Sequence, residues 1–171
     1  INYSPDIAVA NDVVIGHSGL TEYYGFLLSN NSVTGTIDSL SLSLSQYATA
    51  YTRPQSVTFG DVIQSGSMVN IYACYGTNSI YAPGTTSLNV GYGPIDVIMS
   101  DLDVDGKPDI ITANALSFGV SILRNDNTTA GVFAFSPATK ITTGCQPKAF
   151  AAGDINGDGL TDLIIAKIRR A

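Results

Sequence analysis

Apolar residues in this chain come in short β-branched runs. Ile110-Ile111-Thr112-Ala113 and Leu163-Ile164-Ile165-Ala166 each read as a buried strand. Leu40, Leu42 and Leu44 alternate with Ser39, Ser41, Ser43 and Ser45, a period of two that suits a strand with one buried face. That alternation turns the Ser/Thr-rich stretch from Asn30 to Thr52, a linker by composition alone, into a structured segment. A second kind of strand starts at a proline. Gln146-Pro147-Lys148-Ala149-Phe150-Ala151-Ala152-Gly153-Asp154 parallels Gly93-Pro94-Ile95-Asp96-Val97-Ile98-Met99-Ser100-Asp101, and Arg53-Pro54-Gln55-Ser56-Val57-Thr58-Phe59-Gly60-Asp61 is a third copy. Pro5-Asp6-Ile7-Ala8-Val9-Ala10-Asn11 repeats the second half of the unit at the N-terminus. Asp6 to Asp162 is 156 residues, three units of 52, although Asp61 to Asp101 spans 40 and Asp101 to Asp154 spans 53.

Between a Pro-led strand and its apolar partner lies an acidic loop. Asp101-Leu102-Asp103-Val104-Asp105-Gly106-Lys107-Pro108-Asp109 and Asp154-Ile155-Asn156-Gly157-Asp158-Gly159-Leu160-Thr161-Asp162 both carry oxygen side chains at positions 1, 3, 5 and 9 and glycine at 6. Seven of the 14 acidic residues fall in these two windows. Such crowding of like charge is unfavourable without a neutralising cation. Ca²⁺ takes about six to eight oxygen ligands, and alternate residues of a tight loop can aim several carboxylates at one centre. The first six positions fit an EF-hand, but position 12 is Thr112 or Ile165 instead of a bidentate Glu, and strands follow instead of helices. The position-9 Asp therefore supplies the closing carboxylate. A plain Asp/Asn/Gly turn is the bland alternative, disfavoured by two matches at all five positions. In the third copy, Asp61 is followed by Val62-Ile63-Gln64-Ser65-Gly66, without carboxylates at positions 3 and 5, and Asn70 is the expected ninth-position equivalent after a one-residue slip. Asp61 is thus expected to be a turn residue without a calcium site.

The pattern D-x-[DN]-x-D-G-x-x-D-[IL] after a Pro-led strand resembles the FG-GAP/VCBS repeats of integrin-α-like β-propellers, with Gly153 to Ala166 a close match. Asn114 to Asn125 resembles the next strand pair of that family, and Tyr24 to Asn30 an earlier copy. The resemblance implies an all-β chain of four-stranded antiparallel blades. Approximate repeats are 1–52, 53–92, 93–145 and a partial 146–171. It also implies two Ca²⁺ sites: one from the side chains of Asp101, Asp103, Asp105 and Asp109 with the Lys107 carbonyl, the other from Asp154, Asn156, Asp158 and Asp162 with the Leu160 carbonyl. The phase of the repeats has the chain begin and end inside a unit. About three repeats do not close a ring, so the expectation is a segment of a propeller of about six to eight blades, completed by further blades of a parent chain or by self-association.

Composition agrees with an extracellular all-β domain. Apolar residues make up 44% and charged residues only 13%, with nine Tyr and many turn-forming residues. A net charge of −6 and a pI near 4.4 argue against nucleic acid and anionic membranes, and no stretch approaches the length of a membrane helix. Cys74 and Cys145 lie in no CxxC or Cys/His cluster, and a disulfide and buried thiols both stay open. Asn2, Asn30 and Asn127 head glycosylation sequons. Catalysis finds no support: the lone His17, between Gly16 and Ser18, is expected in an exposed loop, and no G-x-S-x-G appears. The expected function is a non-catalytic, calcium-stabilised module for adhesion or for binding a glycan or an extracellular protein, with Tyr23, Tyr24, Tyr72, Tyr75, Tyr81 and Tyr92 as candidate contacts. The alternative is a scaffold segment of a secreted carbohydrate-active enzyme or of a surface filament.

Overall fold

The computed structural model describes residues 7–17, 20–30, 42–49, 53–67, 69–82 and 87–168. Asn2, Asp6 and Leu40 lie outside these residues. The described residues contain strands and no helix. A three-stranded sheet holds β1 (Ile7–His17), β2 (Leu20–Asn30) and β3 (Leu42–Thr49). A four-stranded sheet follows, of β4 (Arg53–Gly60), β5 (Val69–Tyr75), β6 (Ser79–Tyr81) and β7 (Leu88–Asn89). The next has β8 (Pro94–Ser100), β9 (Asp109–Asn114), β10 (Gly119–Leu123) and β11 (Thr139–Thr142), and the last pairs β12 (Gln146–Gly153) with β13 (Asp162–Ile168). Within each sheet the strands run antiparallel in chain order, the meander of a propeller blade. His17, expected in a loop, is the last residue of β1 and pairs with Leu20.

The three Pro-led strands are built alike. Pro54, Pro94 and Pro147 pair with Cys74, Asn114 and Lys167, and in each case the register shifts at the next residue. A proline cannot donate to the ladder, so it sits at a strand start beside a bulge. Beyond the bulge the pairing runs unbroken to Gly60↔Val69, Ser100↔Asp109 and Gly153↔Asp162. The ninth-position equivalent in the first of these hairpins is therefore Val69, not Asn70. A one-residue slip would turn every side chain of β5 to the wrong face, and Ile71 and Ala73 are held in the core.

Neighbouring sheets meet along their Pro-led strands, β4 against β8 and β8 against β12. Between the two four-stranded sheets lies a core of Ile71, Ala73, Ile80, Ala82 and Val90 from one side and Val97, Ile110 and Leu123 from the other. β9 is buried along its whole length, which explains its unbroken apolar run: Ile110 faces the sheet before and, one residue on, Ile111 faces away from it. Asp96 ties three sheets together. It accepts the Ser56 hydroxyl at 2.8 Å from β4 and the Phe150 amide at 3.1 Å from β12. Cys74 is buried and Cys145 half-buried, and no disulfide joins them. Tyr72 belongs to the core, whereas Tyr75 and Tyr92 are exposed.

Ile164 occupies on β13 the place of Ile111 on β9 but is 54% exposed, against 0% for Ile111. Ile111→Ala is expected to cost about 3 kcal/mol in chemical denaturation and Ile164→Ala less than about 1 kcal/mol. Equal losses would mean that another surface covers β13 in solution.

Candidate metal centre

All three loops fold on one hydrogen-bond scheme, set by the carboxylate at position 1. Asp101 accepts the amides of Asp105 (3.1 Å) and Gly106 (2.8 Å), and Asp154 those of Asp158 (3.2 Å) and Gly159 (2.9 Å). Asp61 does the same with Ser65 (3.0 Å) and Gly66 (2.7 Å), the turn role expected of it. The position-6 glycines have positive φ, +77° at Gly66 and +83° at Gly106 and Gly159, where other residues are strained. Position 4 is also left-handed: Gln64 at 52°, Val104 at 62° and Gly157 at 81°. Only Gly157 meets this need without strain, and the sequence pattern gave position 4 no weight.

Within the first loop, carboxylate oxygens of Asp101, Asp103 and Asp109 lie within 4.8 Å of one another, the one such acidic group among the described residues. Asp109 is buried, Asp101 half-buried and Asp103 exposed. Three hard oxygens on one centre are a donor set for a hard divalent cation, so these residues fit Ca²⁺. Asp105, expected as a fourth side-chain ligand, stands outside the group. It pairs with Lys107 at 3.2 Å and Arg124 at 3.4 Å, and accepts the Lys107 amide at 3.0 Å.

Asp109 is fixed from two sides. It accepts the Leu102 amide at 3.0 Å and the Asn125 amide at 2.8 Å. Burial pushes its carboxyl above the ordinary value, the amides oppose that, and the charges of Asp103 and Asp105 add to the rise. A cation at this centre would relieve that strain. Asn125, fully buried, donates its side-chain amide to the carbonyls of Val62 (2.9 Å) and Pro108 (3.1 Å), and the Gly131 amide reaches Ile63 at 2.7 Å. The segment after β10 thereby joins the acidic loop to the Asp61 loop of the preceding sheet. No site role for Arg124 or Asn125 was read from sequence, because that role depends on a contact across a whole sheet. The polar run Arg124-Asn125-Asp126-Asn127 closing an apolar strand was the available signal. Asn127 is buried, its Oδ1 accepting the Thr129 amide at 2.9 Å, which removes this sequon from the accessible surface.

The second loop repeats the backbone pattern in a more exposed setting. Asp162 accepts the Ile155 amide (3.1 Å), as Asp109 accepts that of Leu102. Asn156 accepts the Asp158 amide (2.9 Å), and Asp158 that of Leu160 (2.8 Å), Leu160 itself lying exposed. The Gly159 and Gly157 amides hold Asp154 below the usual carboxylate range. Position 3 of this loop is Asn156, so the three-carboxylate group of positions 1, 3 and 9 has no all-acidic counterpart here.

Residues 101–165, from the first acidic loop to the strand after the second, match a family model described as FG-GAP-like repeat. No curated protein matches the chain.

Val104 carries a β-branched side chain, 61% exposed, at positive φ. Val104→Gly is expected to raise stability by about 0.5 kcal/mol, the relieved strain exceeding the entropy glycine adds to the unfolded chain. Urea denaturation checks it, and a loss of stability would show that the valine supports the loop.

Proposed function

We propose that this FG-GAP-like repeat segment is a non-catalytic β-propeller module whose Asp loops take Ca²⁺ for stability and whose opposite end binds a glycan or protein ligand outside the cell. The observation that carries this reading is the convergence of Asp101, Asp103 and Asp109 on a turn whose backbone, as Asp61 shows, needs only the position-1 carboxylate. The Asp61 loop closes with Val69 in place of a position-9 carboxylate, and Asp103 accepts only from Arg124, so the meeting of three carboxylates is not required by the turn, and a cation accounts for it. Both Asp loops are read as sites, the second with Asn156 in place of the position-3 carboxylate.

The end of the sheets away from these loops suits a ligand. Tyr92 and Phe118 are 51% and 52% exposed there, beside a cleft of about 150 Å³ lined by Asn114, Ser117, Ser121, Lys140 and Thr142. Aromatic faces next to fixed polar groups favour an oriented polar ligand such as a sugar. Phe118 is held at φ 53°, between the lining residues Ser117 and Gly119. The exposed face of β13 is read as the seat of a further blade, from a parent chain or a second copy.

Calcium titration calorimetry of the chain is expected to show two ions bound, unchanged by Asp61→Ala. Asp103 takes no part in the turn's backbone hydrogen bonds, so Asp103→Ala should lower stability in saturating calcium and leave it nearly unchanged in EDTA. The difference is about 2.7 kcal/mol at a hundredfold excess over Kd. Equal losses in both conditions, or a folded chain that binds no calcium, would overturn the metal reading. Silence on a glycan array and in protein-partner screens would overturn the ligand reading.

A further inference from the structure

The two Asp loops differ in one respect that the repeat pattern does not contain. In the first, a guanidinium already lies on the carboxylates. Arg124, the residue after β10, donates from Nε to Asp103 Oδ2 at 2.5 Å and from Nη2 to Asp105 Oδ2 at 3.4 Å. Its third arm, Nη1, reaches Asp126 Oδ1 at 3.0 Å. Asp126 is in turn held by the Ser136 hydroxyl, and the Ser136 amide donates to the Arg124 carbonyl at 3.0 Å. The side chain is thus aimed at the loop by a local brace. Around the second loop, no Lys or Arg among the described residues pairs with Asp154, Asp158 or Asp162.

We propose that Arg124 is a built-in counter-cation of the 101–109 loop, competing with Ca²⁺ for Asp103, so that this loop binds calcium more weakly, and depends on it less, than it would without the guanidinium. The inference rests on the calcium reading above. Asp103 belongs to the converging carboxylate group, and the same carboxylate accepts from Nε, so the ion and the guanidinium draw on one side chain. A unit positive charge within about 7 Å of a divalent ion weakens its binding by at least roughly fivefold even at the dielectric of water. The same charge offsets the repulsion among Asp103, Asp105 and Asp126 when no divalent ion is bound. Arg124 is 54% exposed, and such pairs add little to global stability, so the fold tolerates its replacement.

The test is calorimetric calcium titration of the full chain in an Asp158→Ala background, where only the first loop is read. Arg124→Gln is expected to tighten binding five- to tenfold at low ionic strength and less at high salt, while Arg124→Lys stays near the parent. Thermal melts should show Arg124→Gln lower than the parent in EDTA but with a larger gain on adding calcium. Unchanged or weaker affinity in Arg124→Gln overturns the inference. A residue with a purely structural role would lower both melts equally without tightening the ion. If Asp158→Ala does not fold, the two-site titration of the otherwise native chain carries the same comparison. Absence of calcium binding by the native chain overturns the calcium reading beneath, whereas two bound ions with no effect of Arg124→Gln overturns this inference alone.

Discussion

One carboxylate accepting two consecutive backbone amides sets the geometry on which the rest depends. At Asp61, Asp101 and Asp154 the side chain at position 1 closes the turn onto positions 5 and 6. Those amides find in it an acceptor within the loop, and a turn of this curvature needs left-handed residues at two places. With the turn closed, the residue before position 1 lies opposite position 9, and the strand register follows back to the bulge after the proline. Register then decides which side chains enter the core. The Asp61 loop shows that this architecture stands without the carboxylates at positions 3, 5 and 9.

Those remaining carboxylates bring a cost that the fold meets in different ways. In the first loop Asp109 is buried beside Asp101 and Asp103, where desolvation and like charge both disfavour ionisation. Backbone amides from Leu102 and Asn125 and the cations Lys107 and Arg124 share in compensating it. The second loop is exposed from Asp154 to Leu160 and half-buried only at Thr161 and Asp162, and water screens what protein charges do not. Chemically similar nonapeptides therefore sit in unlike electrostatic settings.

Stacking carries the stability of the array. The second and third sheets bury a continuous aliphatic layer, and polar ties run alongside it: Asp96 from Ser56 to Phe150, and Asn125 from Val62 to Pro108. Buried polar groups with full sets of partners add specificity to an apolar interface, since a shifted stacking would strand them. The acidic loop and the sheet interface are joined at Asn125.

Much of this was legible in the chain. The apolar runs marked β9 and β13, the prolines marked the strands that begin three sheets, and alternate oxygens with a glycine marked the two loops, because each of these depends on local backbone rules. The one-residue slip to Asn70 failed because register is settled by burial of Ile71 and Ala73, a non-local demand. Tyr72 went to the core, and Asp105 pairs with Lys107 and Arg124, outcomes that burial and a distant guanidinium decide. By itself the sequence determined which segments are strands, where they turn and which loops gather acid, since hydrogen bonding and side-chain alternation act over a few residues. Tertiary structure alone decided which carboxylates meet, which cation stands over them and which apolar face stays open, because those outcomes depend on groups distant in the chain and on the burial that sets the strength of their charges.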